Sequence, residues 1–274
     1  MKLKRSERLV DMTYFMLNHP RQLVAARYFV EKYQSAKSSI SEDLGILKNT
    51  METQQFGTLK ITSGAAGGVQ FFPKIGEDEA REVIEQLTEE LSDPSRKLPG
   101  GYLYMSDLLG DPKTLRNVGR MLANEYVDSD VQAVMTVETK GIPLAQAVAN
   151  YLDVPFIIVR HDARITEGST ISVNYVSRSS EQIKKMELSK RSLQKDTNVL
   201  IVDDFLKGGG TIQAMTDLLK EFEANMIGIS VLAEGNYNGD RAIDNFTSIL
   251  KVNTASANDV SVSGGNYLER NFKK

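Results

Sequence analysis

The first 73 residues change from helical to strand spacing near Thr58. Leu9, Met12, Met16 and Leu17 share one face of a helix expected over 5–18, and His19-Pro20 ends it. A second helix is expected over 22–33, with Ala26, Phe29, Val30 and Tyr33 inward. Ile40, Leu44, Leu47 and Met51 define a third, and Ser39-Ile-Ser-Glu42 has the form of a capping box at its start. Alternation then takes over. Thr58–Thr62 and Val69–Phe72 read as the strands of a hairpin around the turn Ser63–Gly68, with Pro73 closing it. Three short helices and a hairpin predict a winged helix-turn-helix unit over 1–73.

From residue 74 the pattern is that of a second unit, 74–274. Glu77–Leu91 is an amphipathic helix with Ala80, Val83, Ile84, Leu87 and Leu91 on its inner face. Turns are expected at 92–95 and 98–101, a short strand over Tyr102–Met105 and a helix over Lys113–Val127. Then come short runs apolar on both faces: Val131–Val137, Val154–Val159 and Val199–Val202. Such runs suit parallel strands covered on both sides. Two of them lead through a loop into helical spacing, at 142–151 and 212–224. Further strands are expected at Met226–Leu232 and Ile249–Val252, with an edge strand and turn in Val260–Tyr267. The fold class is α/β: a winged head, then a parallel sheet flanked by helices with its loops gathered at the carboxyl ends of the strands.

Charge divides along the same line. Ten Lys and Arg against six acids give residues 1–73 a net +4, which leaves −7 for the remainder of a chain of net −3. A basic head on an acidic body points to a polyanion as the partner of the head. Its third helix would enter the major groove of double-stranded DNA by its N-terminal end. That places Lys37, Ser38, Ser41 and Lys48 toward the bases, and Lys4, Arg5, Arg27 and Lys60 toward phosphates. A small helical docking module is the other reading of this stretch. The chain has no cysteine and only two histidines, which leaves no thiolate metal site and no His-rich centre. No apolar run approaches membrane-spanning length, and Glu7, Arg8 and Asp11 interrupt any signal-peptide core, so a cytoplasmic protein without a membrane partner is expected.

The candidate chemistry lies at the ends of two apolar runs. After Val199–Val202 come Asp203 and Asp204, then Phe205-Leu-Lys207, then Gly208, Gly209, Gly210 and Thr211. Strand, glycine turn and helix together present backbone N–H groups to a phosphate, and Thr211 adds a hydroxyl. The acid pair would repel phosphate. It suits ribose hydroxyls or a bound Mg²⁺. A second strand–loop–helix anion site is Glu138-Thr139-Lys140-Gly141, with Pro143 in the first turn of its helix and Arg160 ending the next strand.

The thirteen positions 199–211 resemble the phosphoribosyl pyrophosphate (PRPP) motif of type I phosphoribosyltransferases, with Gly208 where those enzymes usually place Thr or Ser. Glu138–Gly141 is similar to their pyrophosphate loop, with Lys140 in place of Arg. The resemblance implies that the basic stretch 164–192 is a hood over PRPP; otherwise it is a solvated surface hairpin. With the winged head, the whole chain resembles the purine operon repressors of Gram-positive bacteria. That implies a homodimeric repressor of purine synthesis genes, with PRPP as inducer, Mg²⁺ accompanying it and no catalysis. Phe205 and Tyr102 would then flank a base, so that a purine nucleotide competes for the same site. The alternative is a purine phosphoribosyltransferase, of xanthine type, with a regulatory head. A DNA-binding architectural protein with a vestigial body is a third reading, against which the intact acid pair argues.

Overall fold

The structure is a computed structural model. It describes residues 3–62, 64, 67–98, 102–162, 168–177, 182–237, 239–253 and 260–273. The chain divides into two compact units, residues 1–76 with 151–153 and residues 77–150 with 154–274.

The head consists of α1 (Arg5–Asn18), α2 (Ala26–Tyr33), α3 (Lys37–Thr53), β1 (Gly57–Thr62) and β2 (Gly68–Pro73). β1 and β2 pair antiparallel, from Gly57 opposite Pro73 to Thr62 opposite Gly68. Of the turn between them, residues 63, 65 and 66 lie outside the described residues. Met12, Met16, Phe29, Tyr33, Ile40, Leu44, Leu47, Met51, Leu59, Val69 and Phe71 form one core.

Three boundaries or faces differ from expectation. α2 begins at Ala26 rather than Gln22, because the preceding backbone is spent on β2: Arg21 N–H donates to Phe71 O at 2.7 Å and Val24 N–H to Val69 O at 2.9 Å. α3 begins at Lys37, capped by Ala36 without a side-chain hydrogen bond, so Ser39–Glu42 lies inside the helix and is not its capping box. Gln34, in the left-handed region at φ 49, turns the chain early enough for this. Leu17 is 49 % exposed and leaves the inner face of α1. Asp43, fully buried, takes Arg8 on one carboxylate oxygen at 2.8 Å and Arg5 on the other at 3.0 Å, which ties α1 to α3.

The body opens with α4 (Glu77–Leu91), a two-residue ribbon β3 (Lys97–Leu98) and β4 (Tyr102–Leu103), and α5 (Pro112–Asn124). Asp111 caps α5, accepting from Thr114 N–H at 2.7 Å, with Pro112 first in the helix. The expected strand 102–105 is thus only β4, and residues 99–101 of the expected turn lie outside the described residues. There follow β5 (Ala133–Val137), α6 (Gly141–Leu152), β6 (Phe156–Val159), the hairpin β7 (Thr170–Ser177) and β8 (Gln182–Ser189), β9 (Asn198–Leu206), α7 (Gly210–Glu221), β10 (Asn225–Gly235), β11 (Thr247–Asn253), β12 (Ser261–Gly264) and α8 (Tyr267–Asn271).

Six strands form one sheet in the order β12-β11-β10-β9-β5-β6, parallel except for β12 at the edge. β9 leads into one anion loop and pairs directly with β5, which leads into the other; it is buried along Val199–Asp203, as a run apolar on both faces requires. Val199 and Ile201 pack with Ile212, Met215, Leu218 and Leu219 of α7, and the hairpin lays Ile171, Val173 and Tyr175 on the same cluster. Leu200 and Val202 are also fully buried and, by strand alternation, face the opposite layer. Gly119 of α5 meets Ala147 of α6 so closely that a Cβ there would stand 2.7 Å from the alanine methyl, which sets how near these two helices approach.

Candidate functional site

β9 delivers Asp203 and Asp204 to the carboxyl edge of the sheet. Asp203 is 4 % exposed, Asp204 half-buried, and Asp204 N–H donates to Asp203 Oδ1 at 3.0 Å. Burial pushes the Asp203 carboxyl well above the usual carboxylate range, and the neighbouring Asp204 charge adds to it. Burial also raises Asp204, while its hydrogen bond with Asp203 and the Lys140 ammonium pull it back. An acid pair held this way is short of hydroxyl donors or of a cation. Phe205 is half-buried, with its ring against Gly235; Lys207 and Gly208 are half-buried and follow.

Gly209 adopts φ 78, which favours glycine, and stands as N-cap of α7 without a side-chain hydrogen bond. α7 starts at Gly210 rather than Ile212, so Gly210 and Thr211 belong to its first turn. This turn therefore offers backbone N–H groups and a hydroxyl, with the helix dipole behind them.

The second loop meets the first. Gly141, the first residue of α6, is buried, and a Cβ on it would collide with Thr136 Oγ1 and lie 3.0 Å from Asp203 Oδ1. Thr139 and Lys140 are exposed beside the acid pair, and the Glu138–Thr139 peptide is cis. Glu138 takes a different place from the one expected. Its carboxylate accepts from Arg160 Nη1 at 3.0 Å and from His161 N–H at 3.1 Å, so it holds Arg160 rather than standing open to a ligand. Arg160 is fixed again by backbone pairing with Glu187 of β8.

Two contacts escaped the sequence reading. Tyr175 of β7 stacks on His161, ring centroids 6.5 Å apart. Ala242 N–H donates to Gly208 O at 3.1 Å, so the segment after β10 braces the glycine turn. Alternation along Thr170–Ser177 would have put Tyr175 on an inner face; nothing local aims it at His161. Tyr102 lies in β4 and its side chain is outside the described residues, as are Arg164 and Arg178 of the basic stretch. Among the described residues, no three His, Cys, Asp or Glu side chains gather as a metal site.

In the head, Lys37, Ser38 and Ser41 are exposed in the first turns of α3, and Lys48 is half-buried further along. Lys4 and Lys60 are exposed. Arg27 is paired with Glu31 one turn on, at 2.5 Å. Arg5 was expected on phosphate, yet it is committed to Asp43 at 3.0 Å and Glu42 at 3.2 Å, because the buried Asp43 charge demands cations.

Winged helix-turn-helix first, phosphoribosyltransferase-type sheet second, with acid pair and glycine turn at its carboxyl edge: fold and site together define the class. The solved adenine phosphoribosyltransferase of Thermoanaerobacter pseudethanolicus ATCC 33223 has the same body fold, at a TM-score of 0.50 and 23 % identity over 56 % of this chain and 88 % of that one. Residues 4–73 match the bacterial purine repressor N-terminal domain, and residues 105–266 the phosphoribosyl transferase domain. The chain belongs to the bacterial purine repressor family. It is 50 % identical to the purine biosynthesis transcriptional repressor PurR of Bacillus subtilis (strain 168), over 100 % of this chain and 96 % of that protein. It is also 50 % identical to the purine biosynthesis transcriptional activator PurR of Lactococcus lactis subsp. lactis (strain IL1403), over 91 % and 92 %.

Proposed function

We propose that this chain is a transcription regulator of purine synthesis genes in the cytoplasm, a homodimeric repressor that grips operator DNA through its winged head and is released when PRPP occupies the body. The observation that carries this is the meeting of the two anion loops at Gly141 and Asp203, in a chain that also has the winged head. Ribose hydroxyls donate to Asp203 and Asp204 and relieve the penalty of burying two acids. The open N–H groups of α7 and Thr211 take the 5-phosphate. Thr139, Lys140 and Gly141 take the pyrophosphate, with Arg160 held near it by Glu138. The acid pair offers the hard oxygens that Mg²⁺ prefers, with ligand oxygens completing the shell, and the ion would neutralise pyrophosphate charge. Phe205 gives a purine nucleotide a ring to stack on, so such a nucleotide competes with PRPP at this site without inducing.

The body binds without turning over. Nothing in repression calls for transfer of the phosphoribosyl group, and the head has no place in that transfer. The two full-length relatives bear names of opposite sign, repressor and activator, so the sign is tested directly. Operator titration of the full chain with PRPP and Mg²⁺ should show weaker DNA binding as PRPP rises. A parallel assay with adenine, guanine, hypoxanthine and xanthine should show no steady release of pyrophosphate. DNA affinity that PRPP strengthens or leaves alone would overturn induction, and steady nucleotide formation would make the body an enzyme.

A further inference from the structure

The glycine turn has no side-chain cap of its own, so its shape depends on what lies against it. Ala242 N–H donates to Gly208 O at 3.1 Å. A Cβ on Gly209 would stand 3.3 Å from the backbone nitrogen of Ile243. Residues 242 and 243 thus form one wall of the turn. They lie in the stretch 239–246 ahead of β11, which is neither helix nor strand. Irregular backbone of this kind keeps a fixed course only where other groups hold it.

Arg241 supplies the hold. Its Nη1 donates to Glu234 Oε2 at 2.7 Å and its Nη2 to Gly235 O at 2.7 Å, both at the end of β10. The guanidinium lies over the Phe246 ring, 5.4 Å from its centroid. Glu234 is buried, and its other oxygen accepts from Ser248 Oγ of β11 at 2.9 Å. A buried carboxylate requires a cation, and a planar guanidinium can take a carboxylate and a carbonyl at once. The cation is thereby committed to β10, next to the turn and not in it. We propose that Arg241 is a positioning residue for the phosphate at the glycine turn: it ties the stretch 239–246 to β10, so that Ala242 and Ile243 fix the turn that presents the N–H groups of α7. The assignment rests on the reading that this turn binds a sugar phosphate. N–H groups hold a phosphate only when several point at it together, so a turn that loses its wall loses affinity although every donor is still present.

Arg241→Met removes the guanidinium and keeps an apolar stem for Phe246. Calorimetry on the full chain should show ribose 5-phosphate bound about tenfold more weakly, the equivalent of one hydrogen bond to a charged group. Binding of pyrophosphate with Mg²⁺, which uses the other loop, should be unchanged. Amide exchange followed by NMR on the empty protein supplies the second reading. Ala242 should exchange faster in the variant, while Asn236, bonded to Val252 O at 3.1 Å, should keep its wild-type rate. If Arg241→Met does not fold, Arg241→Lys, which cannot span Glu234 and Gly235 O together, is judged by the same comparisons. Wild-type affinity for ribose 5-phosphate in the variant overturns the assignment alone. So does an equal loss for pyrophosphate, or exchange raised at Asn236 as much as at Ala242, since either marks a general loss of stability. A wild-type chain that binds neither ligand overturns the effector reading and this assignment with it.

Discussion

Asp203 and Asp204 are costly residues to keep in an empty site. Burial raises Asp203 and, less simply, Asp204, and the neighbours repel one another when both ionise. A carboxyl whose folded pKa is raised binds its proton more tightly in the folded state. Its stabilisation is complete below the unfolded carboxylate value near 3.8 and is lost as pH climbs through the raised folded value. At neutral pH the ionised pair therefore weakens the unliganded fold. Asp203→Asn should raise the thermal midpoint of the empty protein at pH 7, and the gain over wild type should shrink toward pH 4; calorimetric melts across that range read both. The same change should weaken PRPP. Replacing both acids by Ala should cost roughly 1.5–3 kcal/mol of PRPP affinity per lost charged hydrogen bond, with DNA binding intact. Unchanged PRPP affinity in the double variant would remove ribose hydroxyls from this pair.

Among elements, a single buried charge can join segments that are far apart in the chain. α1 is joined to α3 through Asp43, whose two oxygens are taken by Arg5 and Arg8. Asp43→Ala would strand the buried Arg8 cation and should destabilise the head by about 3 kcal/mol, read as a lower first transition in denaturant unfolding of the full chain. Arg5→Ala should act in the same direction more weakly, since half of its side chain is in water. By contrast, Lys4→Ala and Lys60→Ala leave the fold alone. Each should lower the slope of log affinity against log salt by about one unit, for any duplex sequence. Ser38 and Ser41 variants should change the ratio of operator to random DNA instead. A salt slope untouched by either lysine would take phosphate contact away from these positions. The basic residues of the head thus fall into two kinds that composition could not separate. Arg5 and Lys4 are adjacent in sequence and both exposed, and only the location of Asp43, 38 residues from Arg5, distinguishes a cation paired with the buried carboxylate from its neighbour.

For the whole molecule, two ligands on one chain obey reciprocity. If PRPP weakens operator binding by a factor, operator weakens PRPP binding by the same factor. A coupling of about 1–3 kcal/mol would make a useful switch. Lys140→Ala should blunt the fall of operator affinity with PRPP, since Lys140 stands exposed beside the acid pair where the pyrophosphate would lie. Operator titrations at several PRPP concentrations, repeated as PRPP titrations with and without operator, check both statements. Unequal factors would mean that a third species, such as a change in oligomeric state, enters the cycle.

The sequence determined everything that depends on neighbours along the chain. Apolar spacing set the three helices and hairpin of the head. Runs apolar on both faces marked β5, β6 and β9, and Val199 through Thr211 declared a strand, an acid pair and a glycine turn within thirteen positions. Tertiary structure decided what depends on long-range pairing. β2 claimed the backbone of 21–24 and shortened α2, the turn at Gln34 moved the start of α3, Glu138 was drawn to Arg160, and the docking of hairpin β7–β8 brought Tyr175 onto His161. The division has one physical cause. Periodicity and turn chemistry act over a few residues and can be read locally. Buried charges and hydroxyls take whichever partner the folded packing brings near, and that choice is made only when distant segments meet.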